Sequence, residues 1–428
     1  MSNKTDRAIA VAVLAEVLET GAYANIALRR ALAEANIDPR ARAFVTDMVN
    51  ETLRNLIQID GYLNKYSKTP VDKMKPFIRN LLRVSVCQIK FMDKIPDRAA
   101  VNEAVVMTKA HGFGNLSGFV NAVLRNVSRD NSDDFTKTPK IKYSYPTWLW
   151  DKLKQWLGEE GARSFCENSH KPPPVIVLTN TCKISQSDLA AQFEAEGIDA
   201  TPLEDSAHPF FILRRVGDIT GLASFKAGLF YVLDPGTVHA VDAMAAQPGQ
   251  TILDLCAAPG GKSFAMAIAM QNDGKILSYD IHPHRVELIN QTRKRLGLSI
   301  VAPAVKDATV FDPQLAGTAD AVLLDVPCSG LGTIRKHPEI KYTRSAQDIA
   351  ELVVLQRKML AVAAKYVKPG GRLVYCTCTV SAEENSDNID HFLRTHPNYM
   401  LIDAQQIMPQ ATSDGFYVAA LLHSPPQP

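Results

Sequence analysis

The chain has 428 residues, 46% hydrophobic and 21% charged, with a formal net charge of +2. That length admits two or three domains with their own cores, and the balance is that of a folded globular chain, not of a disordered or fibrous one. No apolar run is long enough to span a bilayer, and the acidic Asp6, Glu16 and Glu19 do not suit a secretory leader, so neither a membrane span nor a signal peptide is expected.

Residues 6 to about 130 show no strand pattern. Apolar residues recur at helical spacing through Ala8, Val11, Leu14 and Val17, then Ile26, Leu28 and Leu32, then Phe44, Val45, Met48, Val49 and Leu53. Further helices read at Phe77–Met92, Val101–Lys109 and Ser117–Asn126, which completes an all-α bundle over 1–135. The first 130 residues hold 19 basic and 13 acidic side chains, so the bundle carries the positive charge and the remainder is net acidic. Such a segment suits an acidic partner, nucleic acid first, although solvated helix faces would give the same count.

Residues 130–144, DNSDDFTKTPKIKYS, read as a polar linker. A small α+β module follows within 136–235. Its parts are a helix over Pro146–Cys166 with Trp148, Trp150 and Trp156, strands at Val175–Asn180 and Phe210–Leu213, and a helix over Ser185–Glu196. From about Tyr231 strands and helices alternate, which predicts a mostly parallel sheet with helices on both faces over 236–428. The strands read at Thr251–Ala257, Lys275–Ile281, Val301–Lys306, Ala321–Val326 and Gly371–Thr377, with one more after Gly415. The helices read at Lys262–Met270, His284–Leu296, Gln347–Val367 and Glu383–Leu393. Ligands on such sheets bind at the carboxyl ends of the strands, where Cys256, Asp280, Asp307, Asp325, Cys328 and Cys378 all fall.

The stretch TILDLCAAPGGKS, Thr251–Ser263, is a strand, a glycine turn and a helix start. Glycines let a ligand approach the backbone, and the free N–H groups of the first helical turn face it. Two ligand classes fit. Gly261-Lys262-Ser263 ends like a P-loop, with Asp325 as its metal-binding acid, but Cys256 stands where that motif needs glycine. An adenosine ligand held through its ribose needs an acid after the second strand, and Asp280 supplies it.

The seven cysteines are odd in number and four fall on or beside the predicted sheet, which suits reduced thiols in a cytosol. Cys376-Thr377-Cys378 has the wrong spacing for a zinc knuckle, so no metal site is expected. Cys328 and Cys378, each closing a strand, form a pair suited to nucleophilic attack on an electron-poor ring; buried inert thiols are the other reading.

Three stretches in this order, CAAPGGK at 256–262, DVPCSGLGTIRKHPEIKY at 325–342 and LVYCTCTVSAEEN at 373–385, closely resemble the RNA cytosine-5 methyltransferases of the Sun/Fmu (RsmB/NOP) family. The N-terminal bundle, with GFVNAVLRN at 118–126, resembles the NusB-like RNA-binding domain of the 16S rRNA members. The resemblance implies a Rossmann-like class I methyltransferase domain and S-adenosylmethionine as cofactor. Its partner would be RNA, 16S rRNA or a small-subunit assembly intermediate, with no membrane and no obligatory protein partner. It assigns the cofactor loop to Cys256, Ala257, Ala258, Pro259, Gly260, Gly261 and Lys262, the ribose to Asp280 and the adenine surroundings to Asp307. Asp325 would lie beside both cofactor and target base, Cys378 would be the nucleophile, and Cys328 would assist product release. Another RNA target, a non-catalytic RNA-binding assembly factor and a P-loop-like NTPase are the alternatives. Two departures stand out. Cys376 adds a third thiol, and Leu233 interrupts the family's usual Gln-Asp segment, whereas the closing Asp414-Gly415-Phe416 pattern is kept.

Overall fold

The computed structural model describes residues 5–425 apart from 36, 133 and 205. The chain forms two compact units, Met1–His170 with Lys336–Arg344, and Lys171–Arg335 with Ser345–Pro428.

The first unit is helical among its described residues, with helices at Asp6–Thr20, Ala24–Glu34, Pro39–Arg54, Leu56–Tyr66, Pro76–Phe91, Asp97–Ala110 and Ser117–Arg129. The sequence supplies their starts: the Thr5 and Asp38 side chains accept from the N–H groups of Ala8 and Ala41, and Pro39 opens the third helix. Leu14, Val17, Val49, Leu53, Ile59, Leu82, Val120 and Leu124 meet in one core. Within 130–144, Asp130 and Phe135 are anchored to the bundle. Lys65 donates to Asp130 at 2.9 Å, and the Phe135 ring lies 4.6 Å from that of Tyr62, in space left by Gly61. One aromatic in a polar run has found a notch where a side chain is missing. The helix over Thr147–His170 then continues the same unit, interrupted at Gly158 (φ 73°). Trp150 is buried in it, so packing, not an exposed face, is the use of that ring.

The second unit contains two sheets. The smaller is antiparallel: β1 (Val175–Thr179), β2 (Asp199–Pro202), β3 (Phe210–Arg214) and β4 (Phe230–Val232), in the order β2-β3-β1-β4. The helix Gln186–Ala195 covers it through Leu189 and Phe193. The larger sheet holds β5 (Thr251–Asp254), β6 (Lys275–Asp280), β7 (Val301–Val305), β8 (Ala319–Asp325), β9 (Val367–Thr377), β10 (Tyr399–Ile407) and β11 (Phe416–His423). Their order is β10-β11-β9-β8-β5-β6-β7, with β5 to β9 parallel and the last two strands antiparallel. This is the expected Rossmann-like domain, extended by the unexpected β10. Among the described residues no helix is long and apolar enough to cross a membrane.

The small sheet shares a core with one face of the large one: Ile176, Phe210 and Tyr231 pack with Phe264, Met266, Ile289 and Leu296. Hydrogen bonds close the same junction. The Asn180 amide donates to the carbonyls of Gly228 and Leu296, and the Lys183 ammonium to those of Ala227 and Arg295. Gly228 sits at φ 71°, and a β-carbon there would lie 2.0 Å from the Arg295 carbonyl oxygen. Gly228→Ala therefore meets both a left-handed backbone and a rigid neighbour. We expect it to destabilise the protein by about 2–4 kcal/mol. A thermal melt that overlays that of the parent would contradict the close junction.

Candidate active site

Five parallel strands deliver their carboxyl ends to one cavity of about 560 Å³. After β5, Leu255 to Gly260 turn sharply. The Ala257 N–H donates to the Tyr279 carbonyl at 2.7 Å, tying the turn to β6. Gly260 adopts φ 105°, and a β-carbon on it would lie 2.3 Å from the Phe264 ring. The helix Gly261–Ala269 starts immediately behind. Cys256 and Ala258 line the cavity, whereas Ala257, Pro259, Gly260, Gly261 and Lys262 shape the turn behind its wall.

Leu233, the departure from the family pattern, is buried against that turn; a β-carbon on Gly261 would lie 2.8 Å from it. Asp234, next to it, accepts from the Asp414 N–H at 3.1 Å, so this segment braces the closing Asp-Gly-Phe.

Asp280 ends β6 with its carboxylate in the cavity wall, one oxygen accepting the His282 N–H at 2.9 Å. Asp307 follows β7 and lines the same wall. The Thr309 N–H and hydroxyl hold its carboxyl below the usual carboxylate range. Ile281, Ala308, Leu355 and Met359 add apolar surface between these acids and the end of β8. The lining therefore suits a flat heterocycle joined to a diol: carboxylates to accept from hydroxyls and an exocyclic amine, carbon for the ring faces. Leu355 and Met359 were not singled out from sequence. Their i, i+4 spacing on the helix Ala346–Ala363 is the signal that marks one face.

Asp325 closes β8 and lines the cavity. The Lys262 ammonium donates to one of its oxygens at 2.7 Å, and the Cys376 thiol lies 3.5 Å from the other. Burial opposes charge on Lys262, yet the Asp325 carboxylate outweighs it and raises the ammonium above the usual lysine range. Lys262, which a P-loop would aim at phosphates, is instead committed to Asp325. Cys376, which carried no sequence assignment, touches the same carboxylate.

Cys328 and Cys378 both line the cavity, and their sulfurs are 3.1 Å apart. The hydrogen bond to Cys378, together with burial, pushes the Cys328 thiol well above its usual range, so Cys328 keeps its proton. Cys256 and Cys376 are also held protonated, by burial and then by Asp325. Two buried acids were missed from sequence. Asp254, the last residue of β5, takes a hydrogen bond from the Ser263 hydroxyl at 2.6 Å behind the cavity. Glu384 lies under the two cysteine loops, fully buried.

Residues 241–422 match the model of the 16S rRNA methyltransferase RsmB/F, residues 4–129 that of the NusB family, and residues 145–217 that of the RsmF/B-like ferredoxin-like domain. A relative from Bacillus subtilis named "Probable ribosomal RNA small subunit methyltransferase B" is 34% identical over 409 residues, covering 93% of this chain and 90% of its own. The "Ribosomal RNA small subunit methyltransferase B" of Shewanella oneidensis is 32% identical over 433 residues, covering 97% and 98%. Among solved structures, PH0851 superposes with a TM-score of 0.82 at 27% identity, covering 98% of this chain and 99% of its own. A methyltransferase homologue from Pyrococcus horikoshii gives a TM-score of 0.59 at 27% identity, over 66% and 97%.

The buried Asp254 gives the site a pH signature. Burial pushes its carboxyl up to about 7, whereas the unfolded chain protonates it near the ordinary value of about 4. Between these values the folded state binds the proton more tightly. The stabilisation is complete below about pH 4 and is lost as pH rises through about 7. Asp254→Asn removes that titration. The melting temperature of the variant minus that of the parent should rise between pH 5 and pH 8 in calorimetry. A flat or falling difference would contradict the assignment.

Proposed function

The chain belongs to the 16S rRNA methyltransferase RsmB/F family, S-adenosylmethionine-dependent enzymes that methylate ribosomal RNA, and we propose that it forms 5-methylcytosine in 16S rRNA through a covalent adduct between Cys378 and C6 of the target cytosine. The observation that carries this reading is the thiol pair: two sulfurs 3.1 Å apart, on the ends of neighbouring parallel strands, in the wall of the cavity that also holds Asp280, Asp307 and Asp325.

S-adenosylmethionine, when bound, supplies an electrophilic methyl group. Asp280 would accept hydrogen bonds from its ribose hydroxyls, Asp307 would lie near its adenine, and the turn from Cys256 to Lys262 would shape the floor. The ring of cytosine is a poor nucleophile at C5. Addition of the Cys378 sulfur to C6 makes the ring an enamine, whose C5 then takes the methyl group. The addition sends negative charge to N3, and the proton that the Cys378 thiol gives up, shared between Asp325 and N3, offsets it. Lys262 fixes the orientation of that carboxyl. The C5 proton passes to solvent as the ring double bond is restored, and Cys328 assists release of the product. The Cys378–C6 bond breaks and its electron pair returns to sulfur. A base inside a duplex cannot reach such a cavity, so the substrate is a single-stranded or extruded cytosine. The helical NusB-family segment, with its excess of basic residues, is a second RNA contact surface.

Two measurements test this. Asp280→Ala should weaken S-adenosylmethionine binding by about 1–3 kcal/mol, roughly 5- to 150-fold in Kd, by calorimetric titration. An unchanged Kd removes Asp280 from the ribose site. The second is a denaturing gel of protein incubated with S-adenosylmethionine and protein-stripped 16S rRNA. Cys328→Ala should show an RNA-linked band, because release is blocked after addition, and Cys378→Ala should show none and no methyl transfer. The reverse pattern would exchange the two thiols. Methyl transfer by Cys378→Ala would end the covalent mechanism, and loss of RNA affinity alone would favour a binding module.

A further inference from the structure

Beneath the two cysteines lies a set of buried polar side chains that the chemistry above leaves unused. We propose that Glu384 is a positioning residue that, through Ser329, sets the sulfur of Cys328 against that of Cys378. This rests on the reading of Cys328 as the group that assists release from Cys378.

Each residue following a cysteine is part of the set. Ser329 follows Cys328, Thr379 follows Cys378, and both are fully buried. Their hydroxyl oxygens are 2.8 Å apart. The Glu384 carboxylate takes hydrogen bonds from Ser329 and Gln356. One oxygen accepts the Ser329 N–H at 2.8 Å and the Gln356 amide at 3.0 Å, and the other accepts the Ser329 hydroxyl at 2.5 Å. The same Gln356 amide donates to the Pro327 carbonyl at 3.0 Å. Thus the backbone on both sides of Cys328 is pinned from below, and Ser329 passes the constraint to Thr379.

None of Ser329, Gln356, Thr379 and Glu384 lines the cavity. They cannot touch cofactor or base, so any effect on the reaction must act through the cysteines. Burying a carboxylate is costly, and burial raises the carboxyl of Glu384. An apolar residue or an amide would be the cheaper occupant if packing alone were served. What the carboxylate alone offers is acceptor capacity on both oxygens, matched to the donors of Ser329 and Gln356. Glutamine in its place would turn an N–H2 toward a donor and break one arm of the clamp at nearly constant volume. The placement matters because a misplacement of about 1 Å at a reacting group costs on the order of a hundredfold in rate.

The test uses the full chain. Glu384→Gln and Ser329→Ala are assayed beside the parent and Cys328→Ala for single-turnover methyl transfer to stripped 16S rRNA, S-adenosylmethionine Kd, melting temperature and RNA-linked protein on a denaturing gel. Ser329→Ala keeps the N–H bond and loses only the hydroxyl relay, so it serves where Glu384→Gln folds poorly. The expected result is turnover reduced about tenfold or more, an unchanged cofactor Kd, and accumulation of the RNA-linked band, as with Cys328→Ala. Parental turnover with no accumulated adduct in both variants overturns the proposal while leaving the two-cysteine mechanism standing. Loss of cofactor binding together with a lowered melting temperature in both variants overturns it in favour of a general packing role. Absence of the adduct from Cys328→Ala itself overturns the mechanism and this proposal with it.

Discussion

The register between β8 and β9 is the constraint on which the site depends. Their parallel ladder sets Asp325 level with Cys376. From that rung each strand runs a short way past the edge of the sheet, three residues to Cys328 and two to Cys378, and the sulfurs meet. The ladder continues beyond the strands: the Val326 N–H donates to the Cys376 carbonyl at 3.2 Å and the Gly332 N–H to the Cys378 carbonyl at 2.9 Å. Gly332 cannot be larger, since a β-carbon would lie 2.1 Å from the Gly415 carbonyl oxygen and 2.9 Å from that of Cys378. A slip of one residue would turn every side chain on β9 to the other face and separate the thiols. The geometry of two sulfur atoms is therefore fixed by backbone pairing.

Electrostatics then divides the thiols at this end of the sheet. Asp254, Asp280, Asp307 and Asp325 gather around the turn after β5, and Lys262 is the cation bonded among them. Negative surroundings favour the neutral form of a nearby thiol. Cys376, buried beside Asp325, and Cys256, half-buried in the cavity wall, keep their protons. Cys328 keeps its own for a different reason, its hydrogen bond to Cys378.

Much of this was legible in the sequence. The strand-turn-helix at Thr251–Ala269, the acids closing successive strands and the two-cysteine pattern all stand where the periodicity and motifs place them, because short buried strands followed by glycine are strong local signals. What was not legible depended on distance or exposure. β10 is an edge strand whose residues are nearly all exposed, so MLIDAQQI shows no alternation to read. β2, with Asp199 and Pro202 in four residues, has the composition of a turn. Lys262 looked like a ligand contact because its motif is one. Its reach to Asp325 depends on the strand order β8-β5, which no local window contains. Glu384 read as one acid in a polar helix start, and only the fold brings Ser329 and Gln356 onto it.

The least legible feature is the fate of residues 336–344. By sequence they follow the Cys328 loop, yet they belong to the helical unit. Ile340 and Lys341 are both buried there. The Lys341 side chain donates to the carbonyls of Arg54 and Tyr143 at 2.9 and 3.0 Å, and Glu339 accepts the Ala24 N–H at 3.1 Å. Arg54 is the last residue of its helix, where free carbonyls need donors and a positive group is favoured. Burial, and then the Arg54 charge, lower the Lys341 amine well below the usual lysine range. A lysine buried beside an arginine would be a liability in a self-sufficient bundle. Here the helical unit satisfies a helix end with a segment that begins eight residues after Cys328. The stretch of chain that caps this helix end is the one that follows the Cys328 loop.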